Sequence, residues 1–208
     1  MVGRKIQPVQ DNAEKQQTYR YLLGKYSHAM DQGFFCEALM IDYAMIEDRL
    51  HSMIYHMGFL ADRGKTGIWK KARPYLQTIV NDYKKDNEVD KLGTSSLCNK
   101  IKIVRSVCLW AAYTDGGYRD NAHLTILKSR LESLDIADVL DVLDAVDRWR
   151  AYRNEVVHAM MNKNIVQLED SFRPYAEEGM KLARRLDAFE RTIKYGNKIR
   201  RKINLPMR

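Results

Sequence analysis

Six consecutive residues, Arg153-Asn154-Glu155-Val156-Val157-His158, bring together an arginine, a neutral amide and a histidine. A guanidinium binds phosphate through paired hydrogen bonds, and an imidazole can take or give a proton near neutral pH. These are the minimum parts for cutting RNA without a metal. The attacking 2′-hydroxyl needs a base, the leaving oxygen needs an acid, and the charge gathering at phosphorus needs a cation. One histidine cannot easily serve as base and acid together. A two-fold dimer would solve the stoichiometry by bringing two copies of Arg153 and His158 into one cleft.

On a regular helix five residues turn through about 500°, so Arg153 and His158 point about 140° apart. Asn154 and His158 are four residues apart and lie within about 40° of one another, and Arg150 extends the same line by a further turn. The expectation is a stripe of Arg150, Asn154 and His158, with Arg153 approaching from its flank. Whether Arg153 reaches that stripe depends on local helix geometry. The bland alternative is a solvated arginine and a helix-face histidine. Arg49 and His56 fit a looser version of the same spacing, which shows how easily the pattern arises.

Little else in the chain competes. His51 and His56 are five apart and do not make the one-face pair of a helical zinc site, and no His-Glu-x-x-His string occurs. Gly64-Lys65-Thr66 echoes the end of a phosphate loop but lacks the leading glycine, and no Gly-x-Ser-x-Gly string occurs. No metal and no cofactor are expected. The formal net charge of +8 suits a polyanionic partner, although charge alone says nothing of fold or catalysis. The tail, residues 197–208, carries Lys198, Arg200, Arg201 and Lys202. It reads either as an RNA clamp that gains affinity by releasing counterions or as a solvated end.

These residues must be positioned by helices. With 208 residues, 45% hydrophobic composition, four prolines and eleven glycines, the chain reads as one compact all-α domain. No apolar run is long enough to span a membrane, and the polar stretch Met1–Asn12 has no signal-peptide core, so a cytoplasmic protein is expected. Cys36, Cys98 and Cys108 are odd in number, have no metal-ligand spacing, and read as buried or incidental thiols in a reducing compartment.

Periodicity predicts helices over about 12–30 and about 34–59, separated by Gly33. The apolar recurrence of the second runs through Leu39, Asp42, Met45, Ile46, Leu50 and Met53, with one carboxylate inside it. A loop is expected over 61–71, then a helix over about 74–85 with Pro74 in its first turn. Thr94, Ser95 and Ser96 offer caps for a helix ending near Tyr113, and a short one follows over about 121–134. Asp135 can cap the long helix, about 136–161, which carries the arginine–histidine string. The last helix covers about 166–195, with Pro174 as a candidate kink.

The string Arg-Asn-Glu-Val-Val-His resembles the signature of the HEPN superfamily (higher eukaryotes and prokaryotes nucleotide-binding domains). That signature is an arginine, a polar residue that is often asparagine, then a histidine after four to six intervening positions. The segment Ile46–Ile54 is similar to the acidic helix that precedes the motif in some members. The resemblance is topological over most of the chain and specific only around Arg153 to His158; residues from about 63 to 130 look like an elaboration without a counterpart.

The resemblance implies a HEPN-like up-and-down bundle over residues 1–196, followed by the basic tail. It implies a homodimeric, metal-independent endoribonuclease, acting as a toxin or anti-phage defence effector. Carried over, Arg153 would bind the scissile phosphate, Asn154 would orient it or the histidine, and His158 would be the acid–base group. Arg150 and Glu47 would be supporting residues. RNA would be the substrate, and a cognate antitoxin or a minimal nucleotidyltransferase a partner. Some members have lost activity, so the alternative is a non-catalytic binding or regulatory module. A third reading is a structural helical protein in which the motif is coincidental.

Overall fold

A computed structural model of the chain describes residues 12–60, 66–83, 94–114, 122–159, 162 and 165–195. Every regular element among them is a helix: α1 (Asn12–Asp31), α2 (Phe35–His56), α3 (Thr66–Tyr83), α4 (Leu97–Tyr113), α5 (Ala122–Leu131), α6 (Ile136–Ala159) and α7 (Ile165–Tyr195). None of these helices is long and apolar enough to cross a membrane.

The punctuation follows local chemistry. Gly33 and Gly58 both adopt positive φ, 77° and 88°, which lets the chain leave α1 and α2 in the left-handed conformation that side chains resist. Phe34 N–H then reaches back to the Ala29 carbonyl at 2.8 Å. The Ser96 hydroxyl accepts from Asn99 N–H at 3.2 Å and caps α4. Asp135 Oδ1 accepts from Asp138 N–H at 3.1 Å and caps α6 as its sequence position predicts.

One element differs from expectation. Residues 66–71 belong to a helix rather than a loop, and Pro74 sits inside α3 instead of opening it. The apolar spacing of Ile68, Trp69, Ala72, Leu76, Ile79, Val80 and Tyr83 continues through the proline. That continuous stripe outweighs the single backbone hydrogen bond that proline removes.

Specific contacts fix the directions of four helices. Lys15 and Tyr19 of α1 meet Asp48 of α2, and Lys15 also reaches Ser52, so α1 and α2 are antiparallel. Gly179 lies against Asp42 while Asp187 and Glu190 lie against Arg49, so α7 runs parallel to α2. Trp149 meets Tyr175 while Asp138 meets Arg185, so α6 is antiparallel to α7. The α2–α7 pair makes the most extensive contact in the molecule, and α4 packs on both α2 and α6. Two ion pairs pin α4: Lys100 to Glu47 at 2.6 Å, and Arg105 to Asp144. Helices α3 and α5 pack on α4.

The core is drawn chiefly from α2, α4, α6 and α7, with α3 and α5 adding Leu76, Ile79, Leu124 and Leu127, and Trp110, Trp149, Phe59, Phe172 and Met53 are among its largest fully buried side chains. Val142 joins the buried face of α6, while Ile136, Leu140 and Val157 are only half-buried. Cys108 is buried, and burial pushes its thiol up to about 12, which makes it an inert packing residue.

Candidate active site

Two buried anchors hold the C-terminal half of α6. Trp149 donates its indole N–H to the Tyr175 carbonyl at 2.8 Å, and Val156 is buried in the core. Between and beyond them, the arginine–histidine residues emerge along the rim. Arg153 does not extend into solvent. Its guanidinium lies over the Tyr43 ring of α2, 4.2 Å from the centroid, and one Nη contacts Met40 Sδ at 3.3 Å. The other Nη donates to Asn154 Oδ1 at 3.2 Å, so Arg153 does reach the stripe that carries Asn154. Its Nε is buried and has no hydrogen-bond partner among the described residues.

What Arg153 lacks is a counter-ion. Among the described residues no carboxylate pairs with it. An aromatic face attracts the guanidinium without neutralising it, at about 0.5–2 kcal/mol. The cation is therefore oriented yet unanswered, the state in which it can accept a phosphate oxygen. His158, one turn beyond Asn154, is exposed in the last turn of α6.

The other expected residues are placed differently. Arg150 is engaged by Asp147 at 2.9 Å, one turn earlier on the same helix. Glu47 is bound to the buried Lys100 of α4, and it lies seven residues past Met40, about 10 Å along α2. It belongs to the α2–α4 contact, not to the surroundings of Arg153. Lys198, Arg200, Arg201 and Lys202 lie outside the described residues.

A second arginine–histidine pair is built the opposite way. Arg49 also lies over a tyrosine, Tyr19, 4.1 Å from its centroid. Its two Nη atoms meet Glu190 at 2.6 Å and Asp187 at 2.9 Å. His56 Nε2 approaches the other oxygen of Glu190 at 3.5 Å. Burial of Glu190 opposes ionisation, but the hydrogen bonds from His56 and Arg49 outweigh it and hold the carboxyl below its usual range. Burial, then the Asp48 carboxylate, push the Tyr19 phenol well above its ordinary value. These charges are consumed internally and tie α1, α2 and α7 together.

Sequence reasoning missed the seat of Arg153. Met40 and Tyr43 lie more than a hundred positions away, and only the folded chain shows that they flank the arginine. Asp42 sits between those two positions and is fully buried, with no partner among the described residues for either carboxylate oxygen. Burial pushes its carboxyl up to about 8, which favours the protonated form at neutral pH. Gly179 allows this packing: a Cβ there would meet Asp42 Oδ2 at 2.7 Å and the Trp149 ring at 2.8 Å. The signal was present in the sequence as a lone carboxylate within an apolar stripe.

No protein-family model, no curated protein and no solved structure matches this chain.

Proposed function

We propose that the protein is a metal-independent endoribonuclease of the HEPN type, acting as a homodimer on single-stranded or looped RNA, as a toxin or anti-phage effector. The observation that carries this reading is the state of Arg153: a guanidinium oriented by Tyr43, Met40 and Asn154, with no carboxylate among the described residues to neutralise it, on the same helix end as the exposed His158.

In this mechanism Arg153 binds a non-bridging oxygen of the scissile phosphate and offsets the charge that builds there. One His158 takes the proton from the 2′-hydroxyl as the 2′-oxygen attacks phosphorus. The P–O5′ bond breaks, and the His158 of the partner subunit gives its proton to the leaving oxygen. The products are a 2′,3′-cyclic phosphate and a 5′-hydroxyl. Asn154, hydrogen-bonded to Arg153, fixes the guanidinium plane.

The test is digestion of a defined RNA in excess EDTA, alongside the same RNA carrying a single 2′-deoxy nucleotide at the main cut site. The proposal expects cleavage in EDTA, products with a cyclic phosphate end, and full resistance at the deoxy position. Cleavage that requires a divalent metal, or that proceeds at the deoxy position, would sink it. Specific RNA binding without cleavage would favour the non-catalytic module.

A further inference from the structure

Arg153 is seated against the one exposed methionine among the described residues. Met40 is 37% exposed, whereas Met45, Met53, Met57 and Met180 are buried and Met30 packs partly buried against the core. One Nη of Arg153 lies 3.3 Å from Met40 Sδ. A thioether is a weak acceptor, so this contact orients the guanidinium without holding it strongly. The same thioether is soft and polarizable, and it sits on a side chain that reaches solvent, where oxidants act. The thiols are less open: Cys36, one turn before Met40 on α2, and Cys98 are half-buried, and Cys108 is buried.

We propose that Met40 is a reversible oxidation site that silences Arg153: a hydroperoxide converts the thioether to a sulfoxide, whose oxygen takes the guanidinium that would otherwise hold phosphate. This switch rests on the nuclease reading above and adds a control to its cation. In the step, a sulfur lone pair attacks one oxygen of hydrogen peroxide. The S–O bond forms and the O–O bond breaks. The departing hydroxide takes the proton from the transferred oxygen and leaves as water. Sulfur gives up two electrons and the peroxide takes them. The sulfoxide oxygen is a strong acceptor where the sulfur was a weak one, and a hydrogen bond to it from a charged donor closes to about 2.7–2.9 Å. The methionine side chain is flexible, so the new oxygen can meet the same Nη without a shift of α2. The guanidinium then has an internal acceptor, a neutral counterpart of the carboxylates that occupy Arg49, and binds a phosphate oxygen less well.

The experiment treats the full chain with limiting hydrogen peroxide. It follows the order of methionine oxidation by peptide mass spectrometry, RNA cleavage in excess EDTA, and labelling of Arg153 by phenylglyoxal. Cleavage by each protein is expressed relative to its own untreated rate, because Met40 touches Arg153. Met40 is expected to oxidise before Met30, Met45, Met53, Met57 and Met180, and wild-type cleavage to fall about tenfold as it does. Dithiothreitol alone should not restore cleavage, whereas methionine sulfoxide reductases for both epimers should. Arg153 should be labelled more slowly while Met40 is oxidised. Met40→Leu should keep its own untreated rate through the same dose. Met40→Gln, which brings an amide oxygen to the guanidinium, should cleave more slowly than Met40→Leu without any oxidant. Full cleavage by protein oxidised at Met40 would overturn the switch. Equal loss in Met40→Leu, or recovery with dithiothreitol alone, would assign the effect to another residue and overturn it as well. A wild type that cleaves no RNA would remove the nuclease; the Met40–Arg153 contact is then judged by the labelling, upheld if oxidation slows it and overturned if oxidation leaves it unchanged.

Discussion

Arg49 with His56 and Arg153 with His158 use the same residue types at similar spacing on two helices, and each arginine rests on a tyrosine ring. They differ in what surrounds the charge. Arg49 meets two carboxylates, one of them shared with His56. Arg153 meets a thioether, an aromatic face and an amide oxygen. A guanidinium with two carboxylates has little left to offer a phosphate. A guanidinium held by neutral groups keeps its charge for a ligand. Residue type and spacing do not tell the two pairs apart; the counter-ion does.

The sharpest separation is expected in activity. His158→Ala and Arg153→Ala should each lower RNA cleavage by about 10²–10⁴-fold, as loss of a general acid–base group or of a charge-stabilising cation does. Thermal melting of His158→Ala should match wild type, because the side chain is exposed. A large loss of melting temperature in His158→Ala would erase the distinction between the two pairs.

The converse variant comes next. Arg49→Ala leaves Glu190, buried in the bundle, with only His56 beside it, while Asp187 keeps Arg191. Breaking a buried pair in this way costs about 3–5 kcal/mol, or roughly 10 °C or more in melting temperature for a domain of this size. Cleavage by the fraction that remains folded should be near wild type. Calorimetry or a circular dichroism melt, paired with an activity assay at low temperature, reads both quantities.

Two smaller effects probe the seam behind Arg153. Gly179→Ala puts a methyl group into Asp42 and Trp149, and should destabilise by about 1–3 kcal/mol in a denaturant titration. Asp42 sets a pH dependence. Its unfolded-state carboxyl ionises near 3.8, whereas the folded one keeps its proton to about 8. Between those values the folded state binds one more proton, so Asp42 makes stability fall as pH rises, by up to about 1.4 kcal/mol per unit, and the fall ends above about 8. Asp42→Asn should remove that component of the slope. An identical pH profile for wild type and Asp42→Asn would show that Asp42 is ionised in the fold.

The all-α class was legible because its signals are local. Gly33, Gly58, Ser96 and Asp135 act on their own helix ends, and helix periodicity survives in α2 and α6. The start of α3 was not, because Pro74 reads as a first-turn residue while the apolar stripe running through it was the stronger signal. At the site, Arg153, Asn154 and His158 were legible as neighbours in sequence. The Tyr43 and Met40 seat was not, because it depends on where the Arg153 side chain reaches across the bundle. Nor was the engagement of Glu47 by Lys100 and of Arg150 by Asp147, since a sequence does not state which charge meets which.

The most direct measurement compares His158→Ala with His56→Ala in cleavage of one RNA in excess EDTA, each protein first shown to be folded. The difference between the two pairs predicts that His158→Ala loses cleavage and His56→Ala retains it. Wild-type cleavage by folded His158→Ala, or its loss in folded His56→Ala, would contradict the assignment of the functional pair to α6.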